Sequence, residues 1–365
     1  MNRRRLKHAG TPHPRLGNRK GQYVLSFGAA QLLANDIDYS GASPYRSLNA
    51  LPFIISCIFL FAQCLPAWGP LGHSTIAAIA EKHLSPSTHS HVAALLTQGH
   101  DTDLPSIANW ADDVRAAAAG RGPLSDDPEA RAFNEKFPTN ALWHFVDLPL
   151  GAEDYRKVAA FASVNDVVHA IKRCVAVLER ANSSADDFTK PQALRLLVHF
   201  VGDIHQPLHC GTGFYDLSNL NHPILITDPR LCTGKPNDRG GNDLFFGTDP
   251  NQELHALWDQ SLVYAIRDSP DYRSLADWLE STQSVNPATG DYHNLPEQWA
   301  IDSVQQARKA YRNIEFGVAT IDGRRLRIMV QLPNGYVDDN RSLAATQLAK
   351  AGLHLAQLLN SLTWP

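Results

Sequence analysis

Apolar residues recur at helical spacing through most of the chain beyond residue 70. The segments with this spacing are 72–84, 86–98, 104–119, 153–182, 190–204, 251–266, 292–314 and 341–361. One segment, 325–332, alternates as a strand does and is followed by Pro-Asn-Gly, which predicts a hairpin with a neighbouring segment. The pattern therefore predicts an all-α fold that is mainly helical and holds at most a small β-hairpin.

Helix boundaries and domain limits follow from the same pattern. Typical helix starts and ends occur at Ser85-Pro86, Lys190-Pro191, Gly99, Gly120 and Gly151. No internal repeat and no linker interrupts residues 68–365, so this region is predicted to be one domain. The irregular stretch 211–242 is long for a loop in a compact domain, which indicates a functional segment or an insertion.

The first 67 residues read as a leader with a secretory signal peptide. Residues 51–62, LPFIISCIFLFA, are preceded by Arg46 and followed by Leu65-Pro66-Ala67. An apolar core of this length is short for a membrane span, and a basic residue before it with a small residue after it is typical of a cleavable signal. We expect cleavage after Ala67 and a secreted or periplasmic protein without a membrane segment, with an uncleaved membrane anchor as the alternative.

Composition and charge exclude a surface that binds phosphate through Lys and Arg alone. The 365-residue chain is 44% hydrophobic, which is sufficient for a large buried core, and its net charge is −4. After residue 67 it has 25 basic and 35 acidic residues and 14 of the 16 histidines. A nucleic acid partner would therefore need positive charge from another source, such as bound cations.

Cysteine usage is compatible with export. Cys174, Cys210 and Cys232 remain after the predicted cleavage. An oxidising compartment makes one disulfide plausible. We favour Cys210 with Cys232, because these two bracket a loop rich in Pro, Asn and Gly, and we expect Cys174 to be a small buried residue in a helix.

Two His-x-x-x-Asp pairs predict a metal centre. His199 and Asp203 lie four residues apart in a predicted helix, so they share one helical face. Pro207 should end this helix and let His209 turn back toward the same face. The spacing repeats at His255 and Asp259. Imidazole and carboxylate without thiolate are typical of catalytic zinc, although a single pair of this kind is more often a solvated or capped pair.

Three further segments add candidate ligands. They are Trp68-Gly-Pro-Leu-Gly-His73 directly after the predicted cleavage site, Trp110-Ala-Asp112-Asp113-Val-Arg115 on a helix, and the strand-like Trp143-His144-Phe145-Val-Asp147. In this order the motifs W-G-x-x-G-H, W-A-D-x-x-R, W-H-F-V-D, H-F-V-G-D-I-H-Q-P-L-H and L-H-x-x-W-D resemble those of the zinc-dependent single-strand nucleases of fungi, plants and bacteria. The resemblance covers essentially all of residues 68–365.

The resemblance implies three zinc ions with defined ligands. The first set is Asp112, His144, His199 and Asp203; the second is His209, His255 and Asp259; the third is the α-amine and carbonyl of Trp68, His73 and the shared Asp203. Metal ions would then supply the positive charge that the acidic surface lacks. The implied activity is hydrolysis of RNA, single-stranded DNA and 3′-nucleotides by a monomeric enzyme, with a zinc-bridging hydroxide as nucleophile.

The resemblance also implies substrate-binding residues. Arg115 corresponds to a phosphate-contacting arginine that acts with Asp112 and Asp203, the alternative being an ion pair with Asp113 or another neighbour. Phe145, Asp147, Gly240 and Asn242 correspond to a base pocket, and for Phe145 the alternative is plain core packing. His205 matches no ligand position and is expected to pack or to support a ligand.

Two other functions share some of these features. Zinc-dependent phospholipases C belong to the same superfamily, but that branch has a longer Trp-to-His spacing at the N-terminus and Glu in place of Asp259. A non-catalytic zinc- or phosphate-binding exported protein would lack a ligand, and none is missing. The 46-residue separation of His209 and His255 exceeds that of the shorter fungal members, with the excess in 211–239, so the substrate preference stays open.

Overall fold

The computed structural model describes residues 68–182, 184–247, 252–268, 271–323 and 325–365. The predicted leader, with its apolar core at 51–62 and the cleavage site at Ala67, lies outside this part of the chain. Within the described residues, no helix has the length and apolar character needed to cross a membrane.

Helices make up most of the described chain, which confirms the all-α prediction. The α-helices are α1 (Gly69–Lys82), α2 (Pro86–Gly99), α3 (Leu104–Ile107), α4 (Trp110–Ala118), α5 (Pro128–Lys136), α6 (Val167–Glu179), α7 (Lys190–His205), α8 (Leu254–Ala256), α9 (Leu262–Ile266), α10 (Tyr272–Thr282), α11 (Leu295–Ala310) and α12 (Tyr336–Ser361). Short 3₁₀ helices occur at Asn140–His144, Tyr155–Phe161, Pro207–His209, Pro229–Leu231 and Tyr292–Asn294, and a π-helical turn at Leu257–Ser261.

The strands pair into small sheets of two or three strands. They are β1 (Leu148–Pro149), β2 (Gly211–Thr212), β3 (Phe214–Asp216), β4 (Ile224–Ile226), β5 (Leu244–Phe245), β6 (Glu315–Asp322) and β7 (Arg325–Gln331). The β6–β7 pair is the predicted hairpin, and β5 joins β7 in parallel to give the order β5-β7-β6. The irregular stretch 211–242 contains β2, β3 and β4.

Local signals explain where several helices begin. The Ser85 hydroxyl accepts a hydrogen bond from the Thr88 amide before α2, and Thr189 forms a capping box with Gln192 before α7. Both starts were expected. Gly151 does not end a helix; it follows β1 in a turn, where a side chain would meet the Thr227 carbonyl at 1.8 Å.

Two long predicted helices are divided. The segment 104–119 breaks between α3 and α4, and the segment 153–182 becomes a 3₁₀ helix followed by α6. The Asp166 side chain caps the N-terminus of α6, where it accepts a hydrogen bond from the His169 amide. The strand-like reading of Trp143 to Asp147 is also wrong. The first half of this segment is helical, because His144 ends a 3₁₀ helix and the backbone becomes extended at Phe145. Apolar periodicity does not register such breaks, because short helices on either side continue the same buried face.

Helix α7 runs through the centre of the core. Every residue from Ala193 to His205 is buried, and the helix packs against α6, α12, α2 and α11. A helix buried on all sides is ordinarily apolar throughout, because buried polar groups need partners. Here Arg195, His199, Asp203 and His205 are buried with it, so each must find a partner within the protein or bind a cation.

The predicted Cys210–Cys232 disulfide is wrong. Both residues and Cys174 are buried free thiols. The Cys210 thiol donates to the Ile204 carbonyl at 3.4 Å, and the Cys232 thiol donates to the Asp228 carbonyl at 3.4 Å. Each cysteine directly follows a short 3₁₀ turn, and its thiol points to a carbonyl that precedes that turn: Ile204 at the end of α7 for Cys210, and Asp228 for Cys232. Cys174 lies within α6 as expected.

Candidate metal centre

The first ligand group assembles around Asp203. The Oδ2 atom of Asp203 lies 3.3 Å from His199 Nε2, one helical turn earlier, and 2.9 Å from His144 Nδ1. Asp112 Oδ1, from α4, lies 3.6 Å from His144 Nδ1 and 3.7 Å from His199 Nε2. Ligand atoms about 2.0–2.2 Å from a tetrahedral zinc are roughly 3.3–3.6 Å apart. The four predicted residues thus meet at the spacing of one metal site.

The second group joins two distant segments. α7 ends at His205 before Pro207, and the following 3₁₀ turn directs His209 inward as expected. Its Nε2 lies 3.1 Å from His255 Nε2 and 4.0 Å from Asp259 Oδ1, and His255 Nε2 lies 3.3 Å from Asp259 Oδ2. All three predicted ligands converge, and all are buried.

His73 and Trp68 lie against the other side of Asp203. His73 Nε2 is 3.4 Å from Asp203 Oδ1, and the His73 ring stacks on His199 with centroids 3.9 Å apart. The His73 ligand atom also lies within 4.8 Å of those of Asp112 and His199. Trp68 is completely buried, and its indole N–H donates to the Gly202 carbonyl at 3.0 Å. The structure therefore places His73 of the predicted third group beside the first group, and the role of the Trp68 α-amine and carbonyl stays a prediction.

Backbone carbonyls fix the histidine rings in one tautomer. The Nδ1 atoms of His199, His209 and His255 each lie 2.7 Å from a carbonyl oxygen, those of Ala108, His144 and Gly240 respectively. A carbonyl only accepts, so each Nδ1 carries a proton, and Nε2 is the atom that offers a lone pair when the ring is neutral. Lone pairs facing carboxylate oxygens at these distances repel unless a cation lies between them.

Unpartnered atoms test whether a metal fits. Both ring nitrogens of His73, Asp203 Oδ1 and Asp259 Oδ2 are buried without a hydrogen-bond partner. Such atoms are rare in folded proteins, because each loses its hydration without compensation. A divalent cation would satisfy them, and a set of imidazole and carboxylate donors without thiolate suits zinc. The residues present fit the predicted metals.

Electrostatics favour the neutral form of some ligand histidines but not of His199. Burial acts to lower the pKa of His199, but Asp203 and Asp112 outweigh it and raise that pKa to about 9, so a metal must replace the His199 proton. Burial lowers the pKa of His144 to about 4 and that of His255 to about 3, so both rings are neutral at pH 7.

Burial raises the pKa of Asp259 well above its usual value. For Asp203 burial acts in the same direction, but His199 and the hydrogen bonds of neighbouring histidines hold its pKa well below the usual range. Asp259 thus needs a nearby cation to stay ionised.

Arg115 faces this centre. Its Nη2 lies 2.7 Å from Asp112 Oδ1, and its side chain is 13% exposed. It pairs with Asp112 rather than with Asp113. Its positive charge contributes to lowering the pKa of His144 and His255, although burial is the larger cause. A buried guanidinium beside the ligands has the position of a phosphate-binding group.

The four predicted base-pocket residues flank metal ligands. Phe145 is half-buried and directly follows His144, and the Asp147 carboxylate accepts a hydrogen bond from the Thr212 hydroxyl at 2.7 Å. Asn242 donates from its amide to the Arg239 carbonyl at 2.7 Å. Their joint role as a base pocket stays a prediction.

Gly240 has a structural role that the sequence did not indicate. Its φ is +62°, and a Cβ there would lie 2.0 Å from the Leu208 carbonyl oxygen, so only glycine fits. Its own carbonyl orients His255. His205, which matches no ligand position, donates from Nδ1 to the Val201 carbonyl and packs against α12, as expected of a packing histidine.

Sequence reasoning missed two supporting side chains. Gln206 is completely buried; its amide donates to Asp259 Oδ1 at 2.7 Å and its carbonyl accepts from the Leu208 amide. Asp238 is also completely buried. The only signal for Gln206 was its position beside Pro207, and nothing near Asp238 in the sequence indicated its role, because its partners are distant.

Asp238 accepts hydrogen bonds from both ends of the predicted insertion. The amides of Gly213 and Gly241 donate to Oδ1 at 3.1 and 3.0 Å. The Tyr215 hydroxyl donates to Oδ2 at 2.7 Å, and the Tyr311 hydroxyl reaches both oxygens. Burial raises the pKa of Asp238 to about 7, while these donors act in the opposite direction. Asp238 therefore fixes the turn next to Gly240.

Replacing Asp238 by Asn is expected to weaken the second metal group. In the Asp238→Asn side chain, an amide nitrogen replaces a carboxylate oxygen that accepts hydrogen bonds, so it faces donors with no acceptor to offer. The turn that carries Gly240 is then no longer fixed, and the Gly240 carbonyl no longer orients His255. Loss of such supporting groups typically weakens metal binding about 10- to 100-fold. Zinc titration followed by elemental analysis measures this. Asp216→Asn, which removes an exposed carboxylate of the same insertion, is the control; a lower melting temperature with unchanged zinc affinity would contradict the prediction.

Comparisons with known proteins agree with this geometry. A family model described as S1/P1 nuclease matches residues 68–363. Nuclease P1 of Penicillium citrinum is 31% identical over 318 residues, which cover 81% of this chain and 97% of that protein. Endonuclease 4 of Arabidopsis thaliana is 26% identical over 349 residues, covering 87% and 96%. Nuclease S1 of Aspergillus oryzae is 25% identical over 328 residues, covering 84% and 96%.

Proposed function

Because the chain belongs to the S1/P1 nuclease family, we propose that it is an exported trinuclear-zinc endonuclease and 3′-nucleotidase. Its substrates are RNA, single-stranded DNA and 3′-nucleotides, and its products carry 5′-phosphates. The family makes it a hydrolase of phosphodiester bonds in nucleic acid. The observation that carries the finer proposal is the convergence of eight of the nine predicted ligands, all except Trp68, into buried groups with unpartnered oxygen and nitrogen atoms.

The proposed ligands divide among three ions. Asp112, His144, His199 and Asp203 would hold the first, His209, His255 and Asp259 the second, and Trp68, His73 and Asp203 the third. Zinc bound there supplies Lewis-acid chemistry, in that it lowers the pKa of water and offsets the negative charge of a phosphate.

The protein's own side chains supply orientation and binding. Arg115 donates to a phosphate oxygen from its place beside Asp112, where its charge is little screened. Phe145 stacks on the base next to the cleaved bond. At the edge of that base, Asp147 accepts a hydrogen bond and Asn242 donates one. A base reaches such a pocket only when it is unstacked, so the site favours single strands.

Export belongs to the same proposal. The apolar core at 51–62 acts as a signal, cleavage follows Ala67, and the enzyme works as a secreted or periplasmic monomer. Retention as a membrane anchor is the alternative outcome, and the N-terminal sequence of the purified protein distinguishes the two.

An activity assay tests the function. The chain starting at Trp68 is incubated with single-stranded DNA, RNA, 3′-AMP and phosphatidylcholine, with and without EDTA. We expect hydrolysis of the first three, loss of activity after chelation, and a lower melting temperature, because removal of the metals leaves buried carboxylates uncompensated. Full activity in EDTA after long dialysis contradicts the metal mechanism, and phosphatidylcholine as the preferred substrate identifies a phospholipase C.

A further inference from the structure

The outer face of the β5-β7-β6 sheet carries an aromatic ring and arginines next to the metal centre. In the parallel pairing of β5 with β7, Leu244 lies opposite Ile328 and Phe245 opposite Met329. Leu244 and Ile328 are completely buried, whereas Met329 is 40% exposed. Side chains alternate along a strand, so Phe245, Arg327 and Met329 share the outward face.

Arg327 stacks on Phe245. The guanidinium carbon of Arg327 lies 3.7 Å from the centre of the Phe245 ring. At this distance the guanidinium contacts the face of the ring, and the contact restricts the Arg327 side chain, which reduces the entropy lost when a ligand binds. Guanidinium planes and aromatic rings are the two side-chain surfaces on which unpaired bases stack in single-stranded nucleic acid complexes.

Chain connectivity places this pair near the ligands. Phe245 lies three residues after Asn242 and forms an antiparallel bridge with Glu253, which lies two residues before His255. Two residues of extended chain span about 7 Å. The backbone at Phe245 is therefore only a few nucleotides of an extended strand away from the second metal group.

Two further arginines lie on the segments that carry the pair. Arg239 lies six residues before Phe245, ahead of β5, and Arg325 begins β7. Arg239 pairs with Asp243 at 2.6 Å. Arg325 is exposed on the outward face two residues before Arg327.

We propose that Phe245, Arg325 and Arg327, hereafter the outer-sheet platform, form a second nucleotide subsite for single-stranded nucleic acid. A base of the substrate, beyond the nucleotide held at the metal centre, stacks on the guanidinium of Arg327, and Arg325 binds a neighbouring phosphate. This inference rests on the proposed function. It makes binding depend on substrate length, because a mononucleotide at the metals does not reach the platform.

Kinetics on two substrates test the platform. Arg327→Ala and Phe245→Leu are compared with the wild type on a 20-nucleotide single-stranded DNA and on 3′-AMP. We expect KM for the DNA to rise about 5- to 100-fold, the range that one stacked base contributes, with kcat and all constants for 3′-AMP unchanged. Arg325→Ala should reduce the salt dependence of DNA binding by about 0.7 in the logarithmic slope.

Matched variants separate the platform from other effects. Arg341→Ala removes an exposed, ion-paired arginine on α12 and should leave both substrates unaffected. Phe145→Ala should raise KM for both substrates, because its pocket binds the reacting nucleotide. Phe245→Leu keeps an apolar side chain in the sheet, and Arg327→Lys keeps the charge without the plane, so at least one folded variant reports on stacking.

The outcomes are distinct. Unchanged KM for the DNA in folded Arg327→Ala and Phe245→Leu proteins overturns the platform, and so does an equal rise of KM for 3′-AMP. Full recovery in Arg327→Lys overturns stacking. If the wild type hydrolyses neither substrate, the proposed function itself is wrong and the platform falls with it.

Discussion

Replacing Asp203 by Asn is expected to lower hydrolysis of single-stranded DNA by roughly a thousand-fold or more. Asp203 Oδ2 faces His144 and His199, and its Oδ1 faces His73 at 3.4 Å, so this carboxylate alone joins two proposed zinc sites. An amide offers one oxygen and no charge, so at least one ion is lost. Metal ions contribute several kcal/mol to such reactions, and each 1.4 kcal/mol is about tenfold in rate.

Comparison with Asp259→Asn makes the prediction specific. Asp259 belongs only to the second group, so its variant should lose one zinc and less activity than Asp203→Asn. Zinc per chain, measured by elemental analysis beside kcat, checks both expectations. Asp302→Asn removes a carboxylate paired with Lys350 on the surface of α11 and serves as the control. Equal and mild losses in the Asp203 and Asp259 variants would show that neither bridges.

A single glycine added before Trp68 is expected to remove the third zinc and slow turnover by about a hundred-fold or more. The free α-amine of Trp68 has a lone pair for a metal, whereas a peptide nitrogen has none. The position of Trp68 is fixed beside Asp203. Its φ of +37° is unusual for a bulky residue, and its indole N–H donates to the carbonyl of Gly202, the residue before Asp203.

Three versions of the protein test this second prediction. One starts at Trp68, one carries the extra glycine, and one keeps the leader. Only the first should bind three zinc ions and reach full rate, so that leader removal is an activation step. A glycine-extended protein with full metal content and full rate would mean that Trp68 only packs at the edge of the core.

The residues alone predicted features that depend on neighbours in the sequence, whereas the grouping of distant metal ligands followed from the family resemblance. The four-residue spacing of His199 and Asp203, and the helix end imposed by Pro207, depend on local backbone geometry that the sequence specifies. The same holds for the β6–β7 hairpin, because alternation sets which face of a strand is buried.

Distant contacts that no family motif indicated escaped prediction. Asp238 accepts a hydrogen bond from Tyr311, which lies 73 residues later in the chain, and no local sequence pattern indicates such a pair. The helix break at Ala108 lies where that carbonyl meets His199, 91 residues away. The Cys210–Cys232 prediction failed because composition of the intervening loop says nothing about where each thiol points.

The π-helical turn at Leu257–Ser261 limits how this gene can diverge. A π turn contains one residue more than an α turn, and such turns frequently occur at functional sites. Deleting one residue between His255 and Asp259 would convert this turn to α geometry and shorten the spacing of these two ligands from four residues to three. Successive residues of an α-helix are turned by about 100°, so the angle between the two ligand side chains would change. Substitutions in this turn therefore keep the ligand spacing of the second metal group, whereas insertions and deletions alter it.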